Sequence, residues 1–129
     1  MPRGRVRPLV LVAEGHADTR SMMRTMLTLE GFDVIESSNG AGTLEAVASL
    51  HPDVIVLDSE VDGLMVAKNL HSQDPAAEPG IVFVSAHVGR ALEQSVQAAG
   101  CDSFLLKPLD FDQLLRIVRR LACRASGAR

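Results

Sequence analysis

"LVLVAEGHADTR" (9–20) and "DVIVLDSEVDG" (53–63) decide the fold. Each contains an unbroken apolar run rich in β-branched residues that stops on an acid, Glu14 in the first and Asp58 in the second. Apolar residues at every position, rather than at alternate ones, mark a strand covered on both faces, as in a parallel sheet. "IVFV" (81–84) is of the same kind, and "SFLL" (103–106) is a short fifth candidate. "FDVIES" (32–37) mixes polar and apolar positions and suits an edge strand.

Between these runs lie stretches with helical spacing. In 18–30, Met22, Met23, Met26 and Leu27 form one stripe, Asp18 or His16 is placed to cap the start, and Gly31 closes the helix. Residues 40–50 group Leu44, Val47 and Ala48, and residues 64–71 group Val66, Ala67 and Leu70. Leu92, Val96 and Ala99 line the next helix, which Gly100 ends, and Leu114, Leu115, Val118 and Leu121 line the last. "SQDPAAEPG" (72–80), with two prolines and a glycine, reads as a surface loop. Strand and helix alternate five times, which predicts one doubly wound α/β domain: a five-stranded parallel sheet in the order 2-1-3-4-5 with five helices. The expected organisation is a basic N-terminal tail at 1–7, the domain at 8–123 and a C-terminal tail at 124–129.

The charge is uneven. The chain has a net charge of −3, yet residues 30–112 hold three cations against 14 acids, while residues 113–129 hold five arginines and no acid. With no aromatic or recognition motif beside them, Arg116, Arg119, Arg120 and Arg124 read as the wet face of a terminal helix, and no direct nucleic-acid binding is expected. Cys101 and Cys123 are too few and too far apart for a disulfide framework or a zinc site. The apolar run after the basic "MPRGRVRP" is only five residues long, too short for a signal peptide, and nothing approaches a membrane span. A cytoplasmic location is expected.

In an open parallel sheet, ligands bind beyond the carboxyl ends of the strands where the winding direction reverses. Glu14 and Asp58 follow the first and third strands there, Ser85 follows the fourth and Lys107 the fifth. Taken singly, each is as readily a turn or cap residue. Acid, acid, hydroxyl and lysine at four successive strand ends form a pattern that a structural role alone does not account for.

Over about residues 8–122 the sequence resembles the receiver domain of two-component response regulators. "PDVIVLD" (52–58) is similar to the family's third strand with its phosphoacceptor, which the resemblance assigns to Asp58. "IVFVSAH" (81–87) assigns the switch hydroxyl to Ser85, and "GCDSFLLKP" (100–108) assigns the lysine of the Lys-Pro pair to Lys107 and the switch aromatic to Phe104. The resemblance implies a phosphorelay protein. A sensor histidine kinase or phosphotransfer protein would donate the phosphoryl group. Mg²⁺ would be held by Glu14, Asp58 and the backbone carbonyl of Glu60. A downstream partner, or a second copy in a homodimer, would meet the face made by the fourth helix, fifth strand and fifth helix. By their positions two residues beyond Asp58 and Ser85, Glu60 and His87 flank the entry to the acceptor, where two readings stand open: they pair with each other and slow water attack on a phosphoryl group, or they are two solvated side chains. The chain would be no enzyme beyond catalysing its own phosphorylation and dephosphorylation.

Two departures accompany the resemblance. Gly15 stands where the family has a second acid, typically a direct metal ligand, so Mg²⁺ binding is expected to be weak or lost; even an outer partner of a metal is worth about 10–100-fold in affinity. "DSEVDGLM" (58–65) is also about three residues shorter than the family's loop and lacks its proline. Two readings therefore stand open: a working phosphoacceptor, and a pseudo-receiver acting as a phosphorylation-independent interaction module with a degraded Mg²⁺ site. A freestanding hydrolase with an aspartyl nucleophile needs a second acid, which Glu60 nominally supplies, and a cap domain, which the sequence does not contain. A length of 129 residues also leaves no room for an output domain, so a single-domain regulator or a piece of a larger one is expected.

Overall fold

The computed structural model describes residues 7–71 and 79–125. Most of the expected loop at 72–80, residues 1–6 of the expected N-terminal tail and residues 126–129 of the expected C-terminal tail lie outside these residues, and 124–125 belong to the last helix. The elements run β1 (Leu9–Ala13), α1 (Ala17–Leu29), β2 (Asp33–Ser37), α2 (Gly40–Leu50), β3 (Val54–Asp58), a single 3-10 turn (Ser59–Val61), α3 (Gly63–His71), β4 (Gly80–Ser85), α4 (Arg90–Ala98), β5 (Ser103–Leu106) and α5 (Phe111–Ala125). The strands form one sheet in the order β2-β1-β3-β4-β5, and every pairing is parallel. This is the doubly wound α/β domain that the alternation of runs predicts.

The core follows from the period of two along a strand. Val10, Val12, Val54, Val56, Val82, Val84 and Leu105 point to one side of the sheet, where Met23 and Leu27 of α1 and Leu114, Val118 and Leu121 of α5 cover them. Leu11, Ala13, Ile55, Leu57, Ile81 and Phe83 point to the other, under Val66, Ala67 and Leu70 of α3 and Val96 of α4. The inner strands are thus apolar on both faces because helices cover both. β2, at an edge, has no fully buried residue.

Two details differ from the helical stripes expected. Met22 is 53% exposed while Met23 and Leu27, four apart, are buried. Met22 sits about 100° around the helix from Met23, which turns it out of the narrow band that meets the sheet. Ala48 of α2 is exposed for the same kind of reason. His16 occupies the position before α1 but makes no side-chain cap, whereas Asn39 caps α2 by accepting the Gly42 N–H at 2.7 Å. Gly31 and Gly100 close α1 and α4 with φ of 100° and 91°, a conformation that side chains disfavour.

The arginines of α5 are exposed, as expected of a wet face, but three of them reach across to neighbouring elements. Arg119 Nη2 lies 2.9 Å from Glu30 Oε1 after α1, and Arg124 Nη2 lies 3.0 Å from Asp102 Oδ1 before β5. Arg120 donates to the Ser103 hydroxyl. These contacts occupy much of the positive face within the fold. Among the described residues no helix is long and apolar enough to cross a membrane.

Candidate functional site

The chain winds from β1 outward to β2, then returns to β3 and continues through β4 to β5. The reversal lies between β1 and β3, and their register pairs Ala13 with Leu57. The next residues, Glu14 and Asp58, therefore emerge side by side. β4 pairs Ser85 with Leu106, and the Lys107 N–H continues that ladder to the Ser85 carbonyl at 2.9 Å. Parallel register alone brings four polar residues from distant parts of the chain to one rim.

Glu14 is 0% exposed and Asp58 2% exposed. Such buried carboxylates require charge partners and hydrogen bonds, and each of their oxygens has a donor from the protein. Lys107 Nζ lies 2.6 Å from Asp58 Oδ2 and 3.1 Å from Glu14 Oε1. The Glu60 N–H donates to Asp58 Oδ1 at 2.9 Å, opening the 3-10 turn, and the His16 N–H donates to Glu14 Oε2 at 3.0 Å. The Glu14 backbone is equally fixed, its N–H donating to the Ser37 carbonyl and its carbonyl accepting from Arg20 Nη1 at 2.8 Å.

Two carboxylates and one ammonium do not balance, and the pair divides the strain unequally. Burial, reinforced by the hydrogen bond with Asp58, pushes the Glu14 carboxyl above its ordinary range. Burial acts the same way on Asp58, but hydrogen bonds from Glu14, the Glu60 N–H and Lys107 outweigh it and hold Asp58 below the usual carboxylate range. Burial alone would draw Lys107 down; its bonds to Asp58 and Glu14 outweigh that and raise it. The two carboxyls of the pair are thus shifted in opposite directions, Glu14 upward and Asp58 downward.

A carboxyl whose folded pKa lies above its unfolded value contributes stability at low pH and loses it as pH rises through the folded value. Glu14→Gln, which keeps the neutral shape, is therefore expected to gain stability over the native chain as pH rises past the ordinary carboxylate range. Unfolding midpoints from about pH 4 to about pH 8 check this, and a gap that does not change with pH contradicts it.

Ser85 is fully buried and its hydroxyl accepts the His87 N–H at 3.0 Å. Phe104 is half-buried, its ring centroid 5.9 Å from that of Phe83 at an interplanar angle of 42°. Glu60 and His87 are both exposed. The pairing expected between them is not made: Glu60 Oε1 lies 3.8 Å from His16 Nε2 instead. The 3-10 turn after Asp58 directs Glu60 toward the β1–α1 loop rather than toward β4. Two features had no sequence signal of their own. His16 crosses the rim to Glu60, and Arg20 links Glu14 to Glu36, whose carboxylate also takes Arg24.

Mg²⁺ demands near-octahedral oxygen ligands. Here two side-chain carboxylates converge, and all of their oxygens already accept protein donors. Among the described residues no group of three or more His, Cys, Asp or Glu is arranged to hold a metal ion. The donor set does not fit Mg²⁺.

The family model of the response regulator receiver domain matches residues 10–119. The chain is 31% identical over 123 residues to the transcriptional regulatory protein KdpE of Mycobacterium tuberculosis, covering 93% of this chain and 53% of KdpE. It is 30% identical over 116 residues to the regulatory protein AtoC of Escherichia coli, covering 86% of this chain and 24% of AtoC. It thus spans about half of one curated relative and a quarter of the other. Among solved structures, the receiver domain of a Francisella response regulator superposes with a TM-score of 0.83 at 26% identity, covering 92% of this chain and 98% of that one.

Proposed function

Because the chain belongs to the response regulator receiver family, we propose that it works as a pseudo-receiver, a signalling module that meets its protein partner without being phosphorylated. The observation that carries this reading is an acid pair already engaged within the fold and lacking a third ligand. Each oxygen of Glu14 and Asp58 accepts from Lys107 or a backbone N–H, and Gly15 offers no side-chain ligand. Phosphoryl transfer to an aspartate rests almost entirely on positioning and charge neutralisation. A rim without a fitting cation site lacks the larger part of that neutralisation.

The rest of the fold keeps a partner surface. Val88 beside α4 and Leu106 on β5 are large apolar residues left exposed, and Arg116 of α5 lies on the solvent side of its helix. This α4–β5–α5 face is the one we assign to a downstream protein or to a second copy. In this reading Lys107 holds Asp58, Ser85 holds the start of the β4–α4 loop, and Phe104 stays packed on Phe83, so the face has one resting arrangement.

A second reading has its own observation. Asp58 is held as an anion 2.6 Å from Lys107, with Ser85 and Phe104 on adjacent strands, the group of residues a phosphoacceptor would use. Acetyl phosphate with Mg²⁺, followed by intact-mass measurement, separates the two. The native chain is expected to remain unmodified under conditions that label a receiver with both acids. A single-phosphate adduct that disappears in Asp58→Asn would establish the second reading in place of the first.

A further inference from the structure

We propose that the Lys107 ammonium is the resident counter-cation of the Glu14–Asp58 pair, serving the acids in place of a divalent ion, and that glycine at position 15 helps keep the site in this form. The inference deepens the pseudo-receiver reading and rests on it for its functional meaning, but its geometry stands separately.

Three observations carry it. First, Lys107 Nζ bridges one oxygen of each carboxylate, at 2.6 and 3.1 Å, so a single cation already serves both acids. The other oxygen of each acid is taken by a backbone N–H of the adjoining loop, from Glu60 and from His16. A cation approaching Glu14 and Asp58 would compete with these donors for the same oxygens and would gain only two side-chain ligands.

Second, glycine at position 15 is not required by the backbone or by packing. Its φ lies outside the left-handed region, and a Cβ built there meets nothing within 4 Å. Other glycines of the chain contrast with it. A Cβ at Gly63 would lie 2.7 Å from the Asp58 carbonyl oxygen, and one at Gly80 would lie 2.9 Å from Leu121 Cβ. Those positions need glycine because neighbouring atoms fill the space. Position 15 has room for a side chain, so glycine there leaves Glu14 and Asp58 as the acids of the rim for a chemical rather than a steric reason.

Third, Lys107 is the cation that both carboxylates contact, and a third carboxylate at this rim would add negative charge for a divalent ion to meet. Glu14, Asp58 and an aspartate at 15 would supply the hard oxygen donors that Mg²⁺ prefers.

The test compares Mg²⁺ binding by the native chain, Gly15→Asp and Gly15→Asn. Lys68 and Lys107 are the chain's two lysines, so a ¹³Cε-lysine label reports on Lys107 with Lys68 as the internal control. Gly15→Asp is expected to gain saturable Mg²⁺ binding at least about tenfold tighter than the native chain, with a shift of the Lys107 signal that follows saturation. Gly15→Asn, similar in size but uncharged, is expected to behave like the native chain. Both variants should fold, because the space is open, and their unfolding midpoints against the native chain check that. Native Mg²⁺ binding as tight as that of Gly15→Asp, or a folded Gly15→Asp with no gain, overturns the proposal. The functional reading fails on a different result. A native adduct from acetyl phosphate formed equally well with Mg²⁺ chelated would end the pseudo-receiver reading and leave Lys107 as the resident cation.

Discussion

Lys107→Met is expected to lower the unfolding free energy by about 3–5 kcal/mol, the range seen when one partner of a buried ion pair is removed and the other is left. The native Lys107 side chain is only 22% exposed, and both acids that it bridges are essentially buried. Without the ammonium, Asp58 Oδ2 and Glu14 Oε1 lose their shared donor together. The backbone N–H groups of Glu60 and His16 remain, but they carry no full charge. Adding Asp58→Asn and Glu14→Gln to Lys107→Met is expected to recover most of the loss, because the same cavity then holds neutral groups that need no counter-charge. Urea midpoints at constant denaturant slope measure both effects. A single variant within about 1 kcal/mol of native would mean that the pair is solvated well enough to be no more than a surface ion pair.

The second large effect is expected at Phe83. Phe83→Ala should cost about 3–5 kcal/mol, the usual penalty for emptying a well-packed aromatic site. Phe83 is among the largest fully buried side chains, and it lies in the layer beneath α3 and α4. Its Cε2 atom sits 3.0 Å from where a Gly63 Cβ would stand, and its ring packs on Phe104. Removing the ring therefore takes support from the segment that leads from Asp58 into α3 and from the aromatic on β5 at once. Hydrogen exchange should rise at residues 59–64 and 104–106 more than at β1. An equal rise everywhere would show that Phe83 contributes only to global stability. Phe104→Ala, at a half-buried position, should cost less.

The strands were readable because parallel inner strands are covered twice and show as continuous apolar runs. Those at 9–13 and 103–106 match the strands found, and the others shift by a residue or two at an end. Glycines 31 and 100 marked helix ends for a local reason, their positive φ, which a sequence carries openly. The breadth of a buried helix face was less legible. Met22 and Met23 are equally apolar in the sequence, and only the rotation of α1 against the sheet decides that one is buried and the other is not.

At the rim, the identities of Glu14, Asp58, Ser85 and Lys107 and their places at strand ends were set by the sequence, since strand ends follow from local pattern and sheet order follows from alternating connections. The partners of those side chains were not. That Lys107 bridges both acids, that backbone N–H groups take the remaining oxygens, and that Glu60 turns to His16 rather than to His87 depend on distances between segments up to 93 residues apart. Hydrogen bonds and ion pairs act over a few ångströms, so the choice of these partners depends on the parallel register and on the 3-10 turn after Asp58. Gly15 shows both levels together: the sequence alone reveals a missing acid, and the tertiary structure alone reveals open space for one beside a carboxylate pair already held by a lysine.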